Sequence, residues 1–550
     1  MTLERVAFIL SLTLLLGSCG SEEMSSRRAE PPISGDRIAA HTKYLASDEF
    51  EGREPGARGE ALATDYIATQ FALAGLSSAG DDGTYFQRVP LVGVRSLPQT
   101  TLSWQQGGRR INMTYLDDFV AVNHQQQPTV EIDAEAVFVG HGIVAPEFRW
   151  DDYKDTDVTG KVVVLFTNEP ASDDPSFFGG PALTYYGRWT FKYEEAARRG
   201  AAGAIIIHTD PTAGYGWPVV RNSWGGQNPY VKLEGGQAAL AAAGWVTSGV
   251  GEQLLATLGT DLSVILAESE TRDFRPVPLG FRLQGRIASE VQPLDTRNVV
   301  AMVEGSDPER RGEAVLYTAH WDHLGVGIPV DGDAIYNGAV DNATGTAILL
   351  ELARAWSQAD PKPARSLIFA AVGAEEGGLR GSEYYAHHPV VPAGKTAANL
   401  NYDGLFPFGR TTDISLPGYE RTTLKPLVEE TAQEFGLTLR PDPNPEQGYY
   451  YRSDHFSLAK AGIPAFSLDV GVEYEGRPEG WGLEIDKTYR AEHYHQSSDE
   501  FDPAWDFSGL EMLAKFGYAL GRKIANLPEM PTWNPDDEFL PARERSWAQD

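Results

Sequence analysis

The chain has 550 residues, of which 42% are hydrophobic and 11% aromatic, and it carries a formal net charge of -31. A chain of this length exceeds what one hydrophobic core usually organises, so two or more domains are expected. The negative charge argues against nucleic acid as a partner, because a phosphate backbone requires basic patches on the protein.

The N-terminus has the features of a secretion signal. The mostly apolar run Val6 to Ser18 has the length of a signal-peptide core and is too short to span a bilayer comfortably. The letters "LGSC" resemble a bacterial lipoprotein box, in which Cys19, the single cysteine, becomes the lipidated first residue of the mature chain. A secretory signal with an incidental cysteine is the alternative interpretation.

These features predict a signal peptide over residues 1–18 and a polar tether over residues 19–33. The protein is then expected to be extracytoplasmic and attached to the cell envelope through a lipid anchor on Cys19. Gly20 follows the cysteine, and this favours the outer membrane if the host is Gram-negative.

Two regions of different character follow the tether. Residues 34–130 are assigned to the N-terminal part of the main domain, and apolar residues at helical spacing predict a helix over Ala61 to Gly75. Residues 131–284 contain short β-like runs punctuated by Gly and Pro, with one helix candidate between them. This composition predicts an inserted β-rich domain of about 150 residues, near the usual domain size.

Residues 285–530 alternate between predicted strands and predicted helices, whereas residues 531–550 form a polar tail with no assigned function. The apolar runs "AVLYTAH", "SLIFAAV" and "AANLN" read as strands, and "NATGTAILLELARAW" reads as a helix. Such alternation predicts an α/β fold with a mostly parallel sheet flanked by helices. In these sheets the functional groups gather beyond the carboxyl ends of the strands.

Chemically active side chains follow several of these predicted strand ends. The set comprises His320, Asp341, Glu375, Glu376, Asp403 and His495. Taken singly, each is more often a cap or a surface group, and Asp341 also suits a helix N-cap. Together, imidazoles and carboxylates suit zinc. Two zinc ions bridged by one carboxylate would make the paired glutamates tolerable, with one ligating a cation and the other acting as a base.

The order of these residues, with "VDNATG" around Asp341, resembles the two-zinc aminopeptidase family that includes aminopeptidase Y. Glutamate carboxypeptidase II is a more distant relative in that resemblance. The segment Leu45 to Gly59 looks like the N-terminal segment of the family, and the middle region resembles the protease-associated domain often inserted before the metal motifs. The resemblance covers most of the chain and implies a zinc-exopeptidase fold with a protease-associated domain at residues 131–284.

The resemblance also implies how the metals are held. By analogy, Asp341 bridges two zinc ions, His320 and Asp403 complete the first site, and Glu376 and His495 complete the second.

Other positions carry over as catalytic or supporting residues. Glu375 corresponds to the general base, and Tyr494 to a tyrosine that stabilises the oxyanion in some relatives. Asp322 and Asp499 are candidate partners that orient the two ligand imidazoles. Gly404 departs from the family, where Met often follows the ligand Asp, and this changes the expected wall of the pocket.

We therefore expect a zinc-dependent aminopeptidase that acts on peptides. A free α-ammonium group requires carboxylates, whereas an α-carboxylate requires arginine or lysine, and the matched segments are mostly acidic. Arg452 is the candidate substrate-binding residue that favours the opposite polarity, a carboxypeptidase. A glutaminyl-cyclase-like acyltransferase with one zinc ion and a catalytically inactive receptor-like binding protein also stay open.

Overall fold

A computed structural model describes residues 32–233 and 237–549. The predicted signal peptide, most of the tether and Cys19 lie outside the described residues. The helices are α1 Gly35–Leu45, α2 Arg58–Ala74, α3 Trp189–Arg198, α4 Asp210–Ala213, α5 Trp217–Gly225, α6 Ser248–Leu255, α7 Leu262–Ser269, α8 Thr344–Ser357, α9 Arg380–His387, α10 Lys425–Phe435, α11 His455–Lys460, α12 Trp481–Glu492, α13 Ser508–Asn526 and α14 Leu540–Gln549.

The strands follow the same chain order. They are β1 Ser77–Ser78, β2 Phe86–Ser96, β3 Thr101–Gln106, β4 Arg109–Asn112, β5 Phe119–Val122, β6 Thr129–Phe138, β7 Val144–Ala145, β8 Trp150–Asp151, β9 Val162–Leu165, β10 Gly203–Ile207, β11 Asn228–Tyr230, β12 Ala242–Val246, β13 Val277–Val303, β14 Ala314–His320, β15 Gly325–Val330, β16 Asp333–Tyr336, β17 Ser366–Val372, β18 Thr396–Asn401, β19 Asp413–Ser415, β20 Thr438–Arg440, β21 Ala465–Ser467 and β22 Asp469–Val470.

The strands β21, β18, β14 and β17 form the parallel part of a mixed sheet, and β13 pairs with β17 in the antiparallel direction. Every residue of β14, β17 and β18 is buried, as expected for strands covered on both faces. Helices α1, α2, α8 and α13 pack against one face and α9 and α11 against the other. The predicted α/β fold with a mostly parallel sheet and flanking helices is therefore confirmed.

The middle of the chain builds a second group of strands around β6, β9, β10 and β12, with separate apolar clusters on its two faces. This group begins at β3, so it starts before the expected boundary at residue 131. The 27-residue strand β13 pairs with β6 in this group and with β17 in the other. The expected boundary at residue 284 therefore falls inside one continuous strand.

The polar C-terminal segment is packed against the rest of the protein. Trp533 is 1% exposed and donates its indole N–H to the backbone oxygen of Gly462. Arg543 is fully buried and donates to the backbone oxygens of Ala393 and Pro531. These contacts anchor α14 to the outer face of the sheet.

One helix pair has a membrane-like composition. Within residues 32–233 and 237–549, no single helix has the length and apolar content needed to cross a membrane, whereas residues 248–258 and 262–269 meet the criterion together but are bent by 83°.

Candidate metal-dependent active site

The register of the parallel strands brings the predicted site residues to one edge of the sheet. His320, the last residue of β14, pairs with Val372, the last residue of β17. Glu375 and Glu376 follow that strand end directly. Asp403 stands two residues after the end of β18, which is the other neighbour of β14.

Two further residues reach this edge from loops. Asp341 lies in a turn of π-helical type, Ala339–Ala343, at the start of α8. His495 lies in the loop after α12 and is 7% exposed. The fold thus brings together the six residues predicted from the strand ends, although they span more than 170 positions of the chain.

The two carboxylate oxygens of Asp341 face two different donor sets. Its Oδ1 lies 3.2 Å from His320 Nε2, which is 3.0 Å from Asp403 Oδ1. Its Oδ2 lies 3.4 Å from His495 Nε2, which is 3.0 Å from Glu376 Oε2. Asp341 is therefore placed to bridge two cation sites, one on each side of its carboxylate.

Hydrogen bonds on the far side of each imidazole determine its tautomer. His320 Nδ1 lies 3.1 Å from the backbone oxygen of Asp322, so this nitrogen donates. Ser223 Oγ donates to the backbone oxygen of Val219 at 2.8 Å and accepts from His495 Nδ1 at 2.7 Å. In the neutral imidazoles, both Nε2 atoms therefore direct a lone pair at carboxylate oxygens, an arrangement that a cation bound between them would stabilise.

The donor set fits zinc. Imidazole nitrogen and carboxylate oxygen are standard zinc ligands, and ligand atoms of a tetrahedral site with bonds of about 2.0–2.1 Å lie about 3.3 Å apart. The observed separations of 3.0 to 3.4 Å match that spacing. His320, Asp341 and Asp403 would hold one ion, and His495, Asp341 and Glu376 the other.

The adjacent glutamates have different electrostatic environments. Burial and the neighbouring carboxylates of Asp403 and Glu376 raise the pKa of Glu375 well above its usual value. Burial also opposes ionisation of Glu376, but His495 and His323 lower its pKa below the usual range. The two carboxyl groups therefore suit different roles, because Glu375 favours holding a proton and Glu376 favours ligating a cation.

Asp322 and Asp499, the two carboxylates expected to orient the imidazoles, make other contacts. The Asp322 carboxylate is 3.7 Å from His320 Nδ1, too long for a hydrogen bond, and instead accepts the backbone N–H of Glu375 at 3.2 Å. Asp499 was expected to orient His495, and this was wrong. Its two oxygens accept the backbone N–H groups of Val340 and Asp341 at 3.0 and 3.1 Å, so Asp499 holds the turn that carries the bridging carboxylate.

Three supporting residues were missed by the sequence interpretation. His323 Nδ1 lies 2.6 Å from Glu376 Oε1 and fixes this carboxylate from behind. Its position three residues after His320 was a usable signal. No local sequence pattern indicated a supporting role for Ser223 or Asp454. Burial raises the pKa of Asp454 to about 7, and Asp403 and Asp322 add to that effect.

Arg53 places a buried positive charge beneath the carboxylates. It is 1% exposed and donates only to backbone oxygens, those of Trp321 at 2.7 Å, Asn337 at 2.6 Å, Gly338 at 2.9 Å and Leu45 at 2.7 Å. These donations connect the N-terminal segment to the loops that follow β14 and β16. The guanidinium thereby offsets part of the buried negative charge of the site.

Two cavities open on the cluster. The larger, about 530 Å³, is lined by Glu375, Glu376 and the middle region of the chain. The smaller, about 170 Å³, is lined by Asp341, Glu375 and Asp403. Tyr494 and Arg452 line both cavities, so both predicted substrate-contacting residues lie at the junction.

Comparison with known proteins bears on the part of the chain that carries this cluster. Residues 298–514, about two fifths of the chain, match the family model of Peptidase family M28 and are referred to as the M28 segment. The M28 segment includes His320, Asp341, Glu375, Glu376, Asp403 and His495.

Curated relatives align over part of the chain. Leupeptin-inactivating enzyme 1 of Streptomyces exfoliatus is 30% identical over 206 residues, which are 37% of this chain and 42% of that protein. A protein of Leptosphaeria maculans, described as a probable zinc metalloprotease, is 39% identical over 114 residues, 19% of this chain and 25% of its own. The alignments therefore span less than half the length of these relatives.

A solved structure shares the overall fold. The aminopeptidase from Aneurinibacillus sp. strain AM-1 superposes with a TM-score of 0.54 at 20% identity, covering 92% of this chain and 97% of the other. The likeness therefore extends over both groups of strands.

Proposed function

We propose that the protein is a zinc-dependent aminopeptidase that removes N-terminal residues from peptides. The observation that carries this proposal is the Asp341 carboxylate, whose two oxygens face two separate imidazole–carboxylate pairs beside Glu375. The match of the M28 segment to a peptidase family and the names of its relatives support the same chemistry.

The catalytic roles follow from the positions of the side chains. Zinc in such a site supplies Lewis-acid chemistry and makes hydroxide available near neutral pH. Glu375 accepts the proton of the attacking water and returns it to the leaving amine. We assign stabilisation of the oxyanion to the Tyr494 hydroxyl, because Tyr494 lines both cavities.

The charges near the cluster support cleavage from the amino end. Glu375 and Asp403, which belong to the cluster and line the smaller cavity, favour a free α-ammonium group. The second candidate, a carboxypeptidase, is favoured by Arg188 and Arg452, which line the larger cavity.

These arginines are poorly paired. Their Nε atoms are buried without a hydrogen-bond partner among the described residues. Burial and the nearby Arg452 lower the pKa of Arg188 to about 10, as expected for guanidinium groups that lack an anion.

Two peptides of one sequence, one N-acetylated and one C-amidated, distinguish these candidates. An aminopeptidase cleaves only the amidated peptide, from its free amino end. Release of C-terminal residues from the acetylated peptide would instead establish the carboxypeptidase. Elemental analysis tests the remaining alternatives, because the peptidase binds two zinc ions per chain, a cyclase-like enzyme one and a receptor none.

We further propose that the protein is anchored to the cell envelope through lipid on Cys19, on the basis of the N-terminal sequence. Mass spectrometry of the native N-terminus should then show a lipid adduct, and Cys19→Ser should shift the protein to the soluble fraction. A native chain without lipid mass would contradict the anchor.

A further inference from the structure

The smaller cavity is lined by residues of the cluster and by residues from other segments of the chain. Asp341, Glu375 and Asp403 belong to the cluster, and Ser415, Asp442, Asp469 and Tyr474 belong to the remaining wall. Its volume of about 170 Å³ is below the ~300–1,000 Å³ of sites that enclose whole small molecules. A cavity of this size beside the scissile bond suits one substrate side chain.

Two of the three arginines that line this wall are paired with carboxylates of their own. Arg440 Nε lies 2.6 Å from Asp413 Oδ2, and its Nη2 lies 2.8 Å from Glu473 Oε1. Arg490 Nη2 lies 2.9 Å from Asp486 Oδ1, and Arg490 also lies near enough to Asp442 and Asp469 to oppose the rise in their pKa values. Arg452, the third arginine, also lines the larger cavity.

Two carboxyl groups in the wall lack a salt bridge. Among the described residues, no lysine or arginine forms an ion pair with Asp442 or Asp469. Burial, together with Asp486 and Asp442, raises the pKa of Asp469 to about 8. Asp442 accepts one backbone N–H, from Asn444 at 2.8 Å. A cation bound beside Asp442 and Asp469 would therefore stabilise their ionised forms.

Unpartnered polar side chains line the same cavity. Tyr474 is 7% exposed and Ser415 is 6% exposed, and neither hydroxyl has a hydrogen-bond partner among the described residues. His455 is 1% exposed, and burial lowers its pKa to about 3, so it is neutral and offers an acceptor. An aliphatic side chain would leave these groups unpaired, whereas an ammonium or guanidinium group can donate to them.

We propose that the smaller cavity selects substrates whose N-terminal residue has a basic side chain, lysine or arginine, with Asp469 as the carboxylate that binds the side-chain cation. This inference rests on the proposed aminopeptidase function, because that function places the side chain of the N-terminal residue beside the scissile bond. Arg452 lines both cavities and donates to the backbone oxygen of Ala213 at 3.3 Å.

The kinetic test uses C-amidated peptides that differ only in their first residue: lysine, arginine, norleucine or glutamate. In the native enzyme, kcat/KM for lysine and arginine should exceed that for norleucine by about tenfold or more, as expected for a buried charge pair. Asp469→Asn should reduce this ratio to near one. Asp173→Asn, the same change at an exposed carboxylate of the middle region, should preserve the ratio.

An equal or better kcat/KM for norleucine, or an unchanged ratio in Asp469→Asn, would overturn the inference. If Asp469→Asn lost its cooperative melting transition, Asp442→Asn would decide, and an unchanged ratio in that variant would also overturn it.

A binding measurement separates this inference from the proposed function. L-lysinamide and L-norleucinamide share the α-amine and differ in the terminal group of the side chain. Calorimetry should show about tenfold tighter binding of L-lysinamide to the native protein and a loss of that difference in Asp469→Asn. Equal binding of both amides refutes basic selectivity even where peptides are cleaved. Absence of cleavage for every peptide, with selective binding retained, refutes the aminopeptidase function alone.

Discussion

At the scale of single residues, Glu375 and Glu376 are neighbours with different partners. Glu376 contacts His323 and His495 through its two oxygens. Glu375 is fixed through its backbone N–H by Asp322, and its side chain lines both cavities. The two acids are adjacent in sequence, and their contacts give them different surroundings.

Glu375→Gln keeps the shape of the side chain and removes its proton transfer. We expect kcat to fall by about 10²-fold or more while the zinc content stays at the native level. Glu376→Ala should lose zinc and activity together, because it removes a ligand. Steady-state kinetics and elemental analysis of the same preparations check both outcomes, with Glu479→Gln as an exposed control. Near-native turnover in Glu375→Gln would reject its assignment as the base.

The raised pKa of Asp469 predicts a pH dependence of folding stability that can be measured without turnover. Its pKa is raised to about 8 in the folded protein, whereas an Asp in an unfolded chain titrates near ~3.9. The folded protein therefore binds an extra proton between these values. The associated stability is complete below about pH 4 and is lost as the pH rises through about 8.

The melting temperature of Asp469→Asn should accordingly rise relative to the native protein between about pH 5 and about pH 9. Asn cannot ionise, so the variant avoids the buried charge that forms in the native protein. Melting curves across this range test the expectation, and Asp173→Asn should show a constant difference from the native protein. A melting-temperature difference between Asp469→Asn and the native protein that does not change with pH would contradict the raised pKa of Asp469.

At the scale of elements, helix α5 of the middle region supports a ligand of the M28 segment. Ser223 accepts from His495 Nδ1, and Asn222 donates to the backbone oxygen of His495 at 2.9 Å. The M28 segment therefore receives part of its support from the middle region.

Ser223→Ala should weaken zinc binding by about 10- to 100-fold, because loss of such an outer hydrogen bond releases the tautomer and orientation of the imidazole. Zinc retention against a competing chelator gives the measurement. Ser498→Ala is the matched control, since Ser498 forms a similar pair with His493 at 2.9 Å in the same loop. Equal retention in the two variants would show that the Ser223 contact has no role in metal binding.

The elements also show what the sequence can predict. Strands β14 and β17 are mostly apolar runs bounded by turn residues, so both were predictable, as were the acids that follow β17. The pairing of Ser223 with His495 spans 272 positions and leaves no local pattern. Strand β13 was not predicted as one element, because its residues alternate between buried and exposed as it passes from one group of strands to the other.

At the scale of the whole molecule, the catalytic edge lies where the two halves of the chain meet. The larger cavity is lined by Arg188, Tyr215 and Ser223 from the middle region and by Glu376 and Arg380 from the M28 segment. The middle region is therefore part of the wall that a peptide would contact, and its removal would open the site to water.

The protein as a whole is expected to depend on metal for stability. Its net charge is -31, and Asp341, Glu375, Glu376 and Asp403 converge within the cluster, where bound cations compensate their repulsion. Zinc that binds only the folded state adds about 2.7 kcal/mol per site at a free concentration of 100 Kd. Removal of zinc by a chelator should therefore lower the melting temperature by several degrees and abolish activity, and added zinc should restore both. A zinc-depleted preparation with native activity and an unchanged melting temperature would contradict a metal-dependent site at this edge of the sheet.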